Sequence, residues 1–275
     1  MIALAPGRYR REQMATTIAV MSQKGGTGKT TTVRTIADVL RRLDLKVLCV
    51  DSDPQGNLSD YFDVPADADP TLADVLAGHA KALDAIHDDI LPANLGLAES
   101  ELVLSGKMGR EMTLRRALRE PGKRYDVILI DCPPSLGLLT VNALVAADHA
   151  VISSEAEYFS LQGVEQALEV VELAKESLAP DLEWLGVLLN IADLRTVHAR
   201  EAHKQLAERW GDKVFDTPIR RSVAYAESAE RGISILDHRP DLGADYLALT
   251  EELLGRLGWK SERSRLGSLR AEMAA

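Results

Sequence analysis

The stretch "SQKGGTGKTTT", residues 22–32, combines glycines with a lysine and a threonine near the start of the chain. Its glycines are Gly25, Gly26 and Gly28. Glycines let backbone N–H groups close around phosphate oxygens, Lys29 can reach the outer phosphates, and the Thr30 hydroxyl suits Mg²⁺. The pattern therefore predicts a phosphate-binding loop. The alternative is a glycine-rich turn followed by a surface lysine.

A second lysine, Lys24, lies five residues before Lys29. The strict loop pattern G-x-x-x-x-G-K-[ST] fails here because residue 23 is Gln and not Gly. The loop is thus a variant in which "KGG" replaces the usual opening glycine. A phosphate loop ordinarily needs one lysine, so Lys24 either has a separate role or is a solvated lysine beside the loop.

Carboxylates end two further apolar runs. "VILID" ends with Asp131, where a carboxylate can hold the Mg²⁺ shell, usually through water. "CVDSDPQGN" contains Asp51 and Asp53, whose side chains should point in opposite directions on an extended chain. We expect Asp53 to orient an attacking water, and Asp51 to support the loop or the metal shell. Either aspartate could instead cap a helix.

Short apolar runs alternate with longer segments of helical periodicity. The predicted strands are Thr16–Ser22, Lys46–Asp51, Tyr125–Asp131, His149–Glu155 and Trp184–Asn190. The predicted helices are Thr30–Leu43, Leu161–Leu178, Thr196–Trp210 and Gly243–Leu257. Such alternation is typical of the α/β class, with a doubly wound, mostly parallel sheet flanked by helices. Ligands in such folds bind beyond the carboxyl ends of the strands.

The composition favours one large intracellular domain. The 275 residues are 46% hydrophobic and 27% charged, which is enough for a well-buried core. No apolar run is long enough to cross a bilayer, and the arginines near the start argue against a signal peptide. Cys49 and Cys132 do not form a C-x-x-C pair, so we expect neither a disulfide nor a metal site. Both cysteines are predicted to be small, buried apolar residues. The net charge of −10 restricts any nucleic-acid contact to a local basic patch.

The predicted organisation has three parts. Residues 1–15 are a flexible arm, with Met14 as an alternative translation start; residues 16–257 are the domain; residues 258–275 are a basic tail. Within the domain, the acidic, proline-bounded segment Asp63–Pro70 is predicted to be a surface loop.

Together these residues resemble the ParA family of partition ATPases, which is related to MinD within the deviant Walker A group of P-loop ATPases. The resemblance runs from about Thr16 to Leu257. It rests on "KGGTGKTTT", "VDSDPQGN", "YDVILIDCPPSLG", "EAEYFSLQGV", "GVLLNIAD" and "SVAYAESAERGISI". It implies a doubly wound P-loop NTPase fold, ATP and Mg²⁺ as ligands, Mg²⁺-dependent ATP hydrolysis and a homodimer that forms on ATP binding.

The resemblance also assigns roles to residues. Lys24 matches the lysine that reaches the phosphates of the neighbouring subunit, and Lys29 the lysine that acts in its own subunit. With the water-activating Asp53, these are the implied catalytic residues. The implied Mg²⁺ ligands are Thr30, Asp53 and Asp131. The implied nucleotide contacts are Lys24, Gly25, Gly26, Thr27, Gly28, Lys29, Thr30, Thr31, Asn190 and Pro218, with Asn190 near the adenine.

Dimeric relatives bind DNA without sequence preference, so the resemblance implies a basic patch. Residues 193–221 hold seven Lys or Arg against five acids. The expected DNA-binding residues are Arg195, Arg200, Lys204, Arg220 and Arg221. Ala224 stands where many relatives have an arginine implicated in DNA contact. This departure weakens the expectation that the family's DNA contacts are present in this chain. The alternative is that these are ordinary solvated charges.

The tail contains Arg256, Lys260, Arg263, Arg265 and Arg270. It could add affinity for DNA or be a frayed end, and with Gly258 and Gly267 in it we expect a poor membrane anchor.

The implied function is an ATPase that positions plasmid or chromosomal DNA, acting in the cytoplasm on the nucleoid, with a ParB-like partner that stimulates hydrolysis. One alternative is a ParA-like protein that positions another cargo, such as a chemoreceptor cluster or protein compartment. A second alternative is a MinD-like membrane-associated regulator.

Overall fold

The structure, a computed structural model, describes residues 14–156, 160–193 and 195–274, and the side chains up to residue 271. Most of the predicted arm, residues 1–13, therefore lies outside the described residues. The same holds for residues 157–159 of the "EAEYFSLQGV" motif and for Leu194.

A parallel sheet forms the centre of the described chain. Its strands are β1 (Thr16–Met21), β2 (Val47–Asp51), β3 (Ile90–Leu91), β4 (Val127–Asp131), β5 (His149–Glu155) and β6 (Glu183–Asn190). Their order is β3-β2-β4-β1-β5-β6, and every paired neighbour is parallel. Parallel strands place their carboxyl ends at one edge, so Met21, Asp51, Asp131, Glu155 and Asn190 end there together.

The five predicted strands are all present, with ends that agree within two residues. β3 was not predicted, because two residues are too few to show an apolar period. The predicted surface loop Asp63–Pro70 contains no helix or strand. The two cysteines are buried and free, as expected.

Helices cover both faces of the sheet. They are α1 (Lys29–Arg42), α2 (Asn57–Tyr61), α3 (Leu72–Ala77), α4 (Gly96–Ser105), α5 (Thr113–Ala117), α6 (Leu138–Ala146), α7 (Ser160–Ser177), α8 (Val197–Trp210), α9 (Ala224–Glu230), α10 (Ile235–His238), α11 (Pro240–Arg256) and α12 (Lys260–Ala274). Short 3₁₀ turns occur at Ala82–Asp84, Arg110–Met112, Pro121–Lys123 and Gly211–Lys213. α1, α7, α8 and α11 correspond to the predicted helices.

Successive strand residues enter two different hydrophobic cores. In β4, Ile128 and Ile130 pack with α3–α7, whereas Val127 and Leu129 pack with α1 and α9–α12. Side chains of a strand alternate between faces, so an unbroken apolar run is what a sheet covered on both faces requires. The doubly wound α/β fold is confirmed.

The chain after Leu257 forms α12, which packs on α11. Leu266 is fully buried in the core, and Leu269 packs against it. The basic residues contact acids of the domain: Arg263 and Arg270 reach Glu251, and Arg265 reaches Asp44. The described residues of the tail therefore form an ordered helix, and the alternative of a frayed end is wrong for them.

Arg256, counted with the tail, is a packing residue of α11. It donates to the carbonyls of Leu185 and Val214 at 2.7 and 2.8 Å and lies over the ring of Phe215. It reaches them because the neighbouring Gly186, at φ +149°, has no side chain. A Cβ there would lie 2.1 Å from the Lys213 carbonyl oxygen and 2.6 Å from Arg256 Nη1.

We predict that Gly186→Ala lowers the free energy of unfolding by about 3 kcal/mol, because the methyl group meets backbone and forces an unfavourable φ. Gly267→Ala is the matched control. That glycine lies in α12, where an added methyl group would have nothing within 4 Å, so alanine should raise stability by about 0.5–1 kcal/mol through helix propensity. Urea denaturation measures both variants, and an unchanged Gly186→Ala midpoint would contradict the prediction.

Candidate nucleotide-binding site

The glycine-rich loop joins β1 to α1 at the carboxyl edge of the sheet. Gly26 and Gly28 have φ of +79° and +77°, in the left-handed region that residues with a Cβ avoid. Gly28 is also the N-cap of α1 and has no side chain with which to cap it. The helix start and the loop N–H groups thus form the anion site that the sequence predicted.

The two lysines of the loop lie in different environments. Lys29 is buried, and its Nζ donates to the Lys24 carbonyl at 3.3 Å, so its ammonium group lies across the loop of its own chain. Lys24 has an exposed side chain, beside the exposed Gly25 and Gly26. The lysine predicted to act within the subunit is therefore inside the site, and the other is at its rim.

Thr30 and Asp131 meet at the floor of the site. The Thr30 hydroxyl donates to Asp131 Oδ2 at 2.6 Å. Asp131 Oδ1 is buried and accepts no hydrogen bond from the described residues. Burial, followed by the negative charge of Asp51, raises the pKa of Asp131 to about 8, although the Thr30 hydrogen bond and Lys29 oppose this.

A cation fits this arrangement, because an unpartnered carboxylate oxygen beside a hydroxyl is a hard oxygen donor set. Within the described residues, no group of three His, Cys, Asp or Glu side chains is placed to hold a metal alone. A Mg²⁺ ion here would therefore need further ligands from water or from phosphate oxygens.

Asp51 and Asp53 lie in different environments and have different hydrogen-bond partners. Asp51 is fully buried and accepts hydrogen bonds from the Asp53 N–H and from the N–H and hydroxyl of Ser59, at 2.8–3.1 Å. Burial raises its pKa to about 6 despite these bonds. Ser59 lies in the first turn of α2, so Asp51 caps that helix, which was one of the alternatives left open, and through it supports the turn after β2.

Asp53 begins the turn that leads into α2. Its Oδ1 accepts from the Gln55 N–H at 3.0 Å, and Gly56 closes the turn with φ +68°. Asp53 lines a cavity of about 590 Å³ together with Gly25–Thr31 and Pro134. The loop residues predicted to bind phosphate, the predicted metal ligand Thr30 and Asp53 thus surround one space, whereas Lys24 and Asp131 are not among its lining residues.

A buried polar network supports the loop from below. Ser153 Oγ, in β5, donates to the Thr27 carbonyl at 2.7 Å. Asn190 Nδ2, at the end of β6, donates to Ser153 Oγ and to Thr32 Oγ1, both at 3.0 Å. The Thr32 hydroxyl lies 3.4 Å from the hydroxyl of Tyr246 in α11. This network fixes the backbone at Thr27 and Gly28.

A second cavity, of about 450 Å³, opens beside the loop. Its lining includes Gly26, Gly28, Thr31, Asn190, Ile191, Ile219, Val223 and Tyr225. It is mostly apolar and suits a purine base, so we refer to it as the base cavity. Asn190 borders it, but its amide nitrogen is used by the network described above, so a contact with adenine stays a prediction. Pro218 is not among the lining residues, whereas the adjacent Ile219 is.

Ile191 is a feature that sequence reasoning missed. It has φ +52°, which is unfavourable for a β-branched residue. The neighbouring backbone holds it there, because Ala192 N–H donates to the Ile219 carbonyl and Arg221 N–H to the Ala192 carbonyl. The conformation places the 219–223 segment along the base cavity.

Tyr61 connects the Asp53 turn to the base cavity. Its hydroxyl lies 3.3 Å from Thr31 Oγ1 and donates to the Tyr225 carbonyl at 3.4 Å. Ser153, Tyr61 and Tyr246 had not been proposed from the sequence. For Ser153, a polar residue near the carboxyl end of a buried strand was the available signal, whereas the tyrosines come from distant segments.

The predicted DNA contacts separate into two groups. Arg195 and Arg200 lie together, because Arg200 Nη1 donates to the Arg195 carbonyl at 2.7 Å. Hydrogen bonding from the Arg195 side chain is the larger cause of the lowered pKa of the Asp193 carboxyl, and the positive charge of Arg221 helps to lower it. Arg221 is therefore close to Asp193, the partner of Arg195. Arg220 points away and pairs with Asp245 in α11 at 2.7 Å.

Several of these charges have acidic neighbours. Arg195 binds Asp193 through two hydrogen bonds of 2.8 and 2.9 Å, and Lys204 lies 3.7 Å from Glu208. Ala224, the departure from the family pattern, is buried in the core at the start of α9. It cannot contribute to a surface patch in this conformation.

The fold and the site define a P-loop nucleotide-binding protein, and comparisons with known proteins agree. The model of the AAA_31 family, an AAA domain, matches residues 15–184. The sporulation initiation inhibitor protein Soj of Bacillus subtilis is 39% identical over 249 residues, covering 87% of this chain and 98% of Soj.

Among solved structures, cobyrinic acid a,c-diamide synthase of Mycobacterium smegmatis with bound ADP and magnesium is 37% identical. Its TM-score is 0.72, with 79% of this chain and 93% of that chain covered. The septum site-determining protein MinD of Pyrococcus horikoshii, complexed with Mg-ADP, is 29% identical with a TM-score of 0.72, covering 87% of this chain and 96% of MinD.

The chromosome partitioning protein ParA of Myxococcus xanthus is 36% identical over 275 residues, covering 96% of this chain and 97% of that ParA. The chain therefore belongs to the ParA family of P-loop ATPases, as its motifs indicated.

We predict that Asp131→Asn makes the protein without nucleotide more stable. Because the pKa is raised from 3.8 to about 8 on folding, the native state keeps a proton that the unfolded chain loses. Stability therefore falls as pH rises through this range. Removing the ionisable group should raise Tm at pH 8 by ~2–4 °C or more, with little change at pH 4.

Affinity for nucleotide in the presence of Mg²⁺ should fall at the same time. Differential scanning fluorimetry at both pH values, with and without Mg-ATP, measures the two effects. Asp181→Asn, at an exposed position, is the control. A lower Tm for Asp131→Asn in EDTA would contradict the assignment of Asp131 as an under-solvated carboxylate.

Proposed function

We propose that this protein is a partition ATPase that dimerises on binding ATP with Mg²⁺, binds DNA without sequence preference and releases it after hydrolysis. It would segregate plasmid or chromosomal DNA on the nucleoid, with a ParB-like protein that stimulates hydrolysis. The observation that carries this proposal is the separation of the two loop lysines, one buried in its own site and one exposed at the rim.

The chemistry assigned to the chain is phosphoryl transfer to water. The loop N–H groups, the start of α1 and Lys29 bind the phosphates, and Thr30 with Asp131 would hold Mg²⁺, which supplies charge neutralisation at the phosphate oxygens. Asp53 lines the same cavity as Thr30. Its Oδ1 is oriented by the turn, so the carboxylate is held where it can accept a hydrogen bond from water.

A lysine delivered by a second subunit would complete the charge stabilisation. Negative charge develops on the phosphate oxygens in the transition state, and a cation that arrives only in the dimer links hydrolysis to assembly. Lys24 suits this role because its side chain is exposed and it directly precedes Gly25, which lines the phosphate cavity.

The DNA surface proposed is the group Arg195, Arg200 and Arg221, near the carboxyl end of β6. Such cations neutralise phosphates and release counterions, so affinity depends steeply on salt. The position also suits a nucleotide switch, since Arg221 lines the base cavity as well.

The membrane-associated alternative receives less support. In the part of the chain that the structure describes, no helix has the length and hydrophobicity to cross a bilayer, but a MinD-like helix would lie on the membrane surface, so the argument rests on α12. α12 directs Leu266 into the core instead of presenting an apolar face. A ParA-like role with another cargo would use the same core, and its partner would make the difference.

The function is tested by DNA co-sedimentation with ATP, with ADP and without nucleotide, across a salt series and beside anionic liposomes. We expect DNA binding with ATP alone and a steep loss with salt. Binding that ignores the nucleotide, or sedimentation with lipid only, would overturn the proposal.

We predict that Lys24→Ala still binds ATP, because Lys29 and the loop backbone remain, but hydrolyses it at least ~100-fold more slowly. A coupled phosphate-release assay and a fluorescent ATP analogue measure the two steps. Lys24→Arg is the matched control for charge. Normal turnover by the alanine variant would remove Lys24 from the mechanism.

Asp53→Ala should accumulate as the ATP-bound dimer, since the water loses its orienting carboxylate while the phosphate and metal contacts remain. Analytical ultracentrifugation with ATP should show a dimer that outlasts that of the unaltered chain. Rapid hydrolysis or a monomer in that experiment would argue against the role of Asp53.

For DNA, we predict that Arg221→Ala weakens ATP-dependent binding more than Arg220→Ala does. The Arg220 charge is engaged by Asp245, whereas Arg221 makes no ion pair among the described residues. Loss of one phosphate contact should reduce the log–log salt slope by ~0.9. Nucleotide affinity is measured in parallel for both variants because Arg220 and Arg221 both border the base cavity. Equal effects of the two variants would contradict the prediction.

A further inference from the structure

The phosphate cavity, of about 590 Å³, and the base cavity, of about 450 Å³, share a border. Gly26, Gly28 and Thr31 line both of them. A nucleotide that places its phosphates in one cavity and its base in the other must cross this border with its sugar. The groups at the border are therefore the ones that the structure offers to a ribose.

Two hydroxyl groups lie at this border. Tyr61, the last residue of α2, lines the phosphate cavity. Its hydroxyl lies 3.3 Å from Thr31 Oγ1 and donates to the Tyr225 carbonyl at 3.4 Å. Both Thr31 and Tyr225 line the base cavity. The Tyr61 hydroxyl thus reaches from the wall of one cavity to the wall of the other.

The two contacts of the Tyr61 hydroxyl are long. Hydrogen bonds between oxygens usually measure about 2.7–2.8 Å, and longer ones are weaker. Contacts of 3.3 and 3.4 Å can therefore be exchanged for shorter ones to a ligand at little cost. A phenol hydroxyl both donates and accepts, so it can pair with a sugar hydroxyl in either direction.

The position of α2 does not depend on the Tyr61 hydroxyl. Arg34 Nη1 donates to the Tyr61 carbonyl at 3.0 Å, and the Arg34 guanidinium lies 4.2 Å from the centre of the Phe62 ring. Asp51 accepts hydrogen bonds from the N–H and the hydroxyl of Ser59 within the same helix. The hydroxyl is therefore free to serve a ligand without loss of the helix.

The Tyr61 phenol also keeps its proton. Burial raises the pKa of Tyr61, although the hydrogen bond with Thr31 and the charge of Arg34 oppose this. The hydroxyl can therefore donate at neutral pH. The residue is half-buried, so its side chain is held in place and is still reachable from the phosphate cavity.

We propose that Tyr61 is a specificity-determining residue of the nucleotide site: with Thr31, its hydroxyl binds a hydroxyl group of the ribose and favours ribonucleotides over deoxyribonucleotides. The inference needs nucleotide binding but neither a dimer nor DNA, so it can fail or succeed independently of the proposed function. It also gives α2, which follows the Asp53 turn, a direct contact with the bound nucleotide.

Carboxylates are the alternative partners for a ribose, because they accept hydrogen bonds from sugar hydroxyls. Asp60 and Glu230 line the phosphate cavity and are exposed. Neither is among the described residues that line the base cavity. The contacts of Tyr61 with both cavities favour the phenol.

The test measures affinity by titration calorimetry of the full chain with Mg²⁺ and ADP, 2′-deoxyADP or 3′-deoxyADP. Diphosphates keep hydrolysis out of the measurement. The unaltered chain should bind ADP ~3–10-fold more tightly than at least one of the deoxy analogues, which is the effect of one hydrogen bond. This comparison needs no variant, so it tests the proposal whether or not the variants fold.

Tyr61→Phe removes the hydroxyl and keeps the ring. This variant should bind ADP ~3–10-fold more weakly than the unaltered chain does, and its preference for ADP over the deoxy analogue should fall to ~1. A purely structural role of Tyr61 would weaken the binding of all three nucleotides by the same factor, and the preference would remain.

Tyr225→Phe is the matched control. The Tyr225 hydroxyl is buried and has no hydrogen-bond partner among the described residues, and its ring packs edge-on against Tyr246. Its removal should leave the preference for the ribonucleotide unchanged. Asp60→Asn tests the carboxylate alternative in the same titrations and should also keep the preference.

Three results would overturn the proposal. The first is equal affinity of the unaltered chain for all three nucleotides. The second is a preference for ADP that survives in Tyr61→Phe. The third is a preference that is lost in Tyr225→Phe or Asp60→Asn while Tyr61→Phe retains it, which would place the ribose hydroxyl at another residue.

Discussion

The nucleotide edge depends on a carboxylate that the protein buries without enough hydrogen-bond donors. Asp131 ends the central strand β4, where the Thr30 hydroxyl satisfies one oxygen and the described residues leave the other unpaired. Such a group is costly for the empty protein, and its raised pKa expresses this cost. A cation would satisfy it, so the burial that costs the empty protein stability is what the proposed metal site would use.

The sequence was informative where a single local pattern decides the structure. Gly26 and Gly28 were identifiable because left-handed backbone requires glycine, and the long strands because burial on both faces leaves unbroken apolar runs. β3 was not predicted, and neither were the helices α2–α6, α9, α10 and α12. Most of these elements are short, so their few residues are ordered mainly by contacts with the rest of the chain. Lys29 is buried and Lys24 is exposed, and the roles that the family resemblance implied for them stay predictions.

Contacts between distant segments explain what the sequence could not show. Arg220 and Arg221 are adjacent and equally basic, yet Asp245 draws only the first towards α11. Likewise, the basic tail contributes little free charge, because Glu251 and Asp44 lie beside it once α12 has packed. Counting charges along the chain therefore overestimates the basic surface that DNA could meet.

The network of Ser153, Asn190 and Thr32 affects how the protein could discriminate between a nucleoside diphosphate and a nucleoside triphosphate. Because it fixes the backbone of Thr27 and Gly28 during folding, the loop has little conformational freedom left to lose when phosphate arrives. A rigid cradle of this kind would bind the diphosphate and the triphosphate in much the same way. Discrimination between them then falls to the turn after β2, where Asp53 and Gly56 lie between the phosphate cavity and α4.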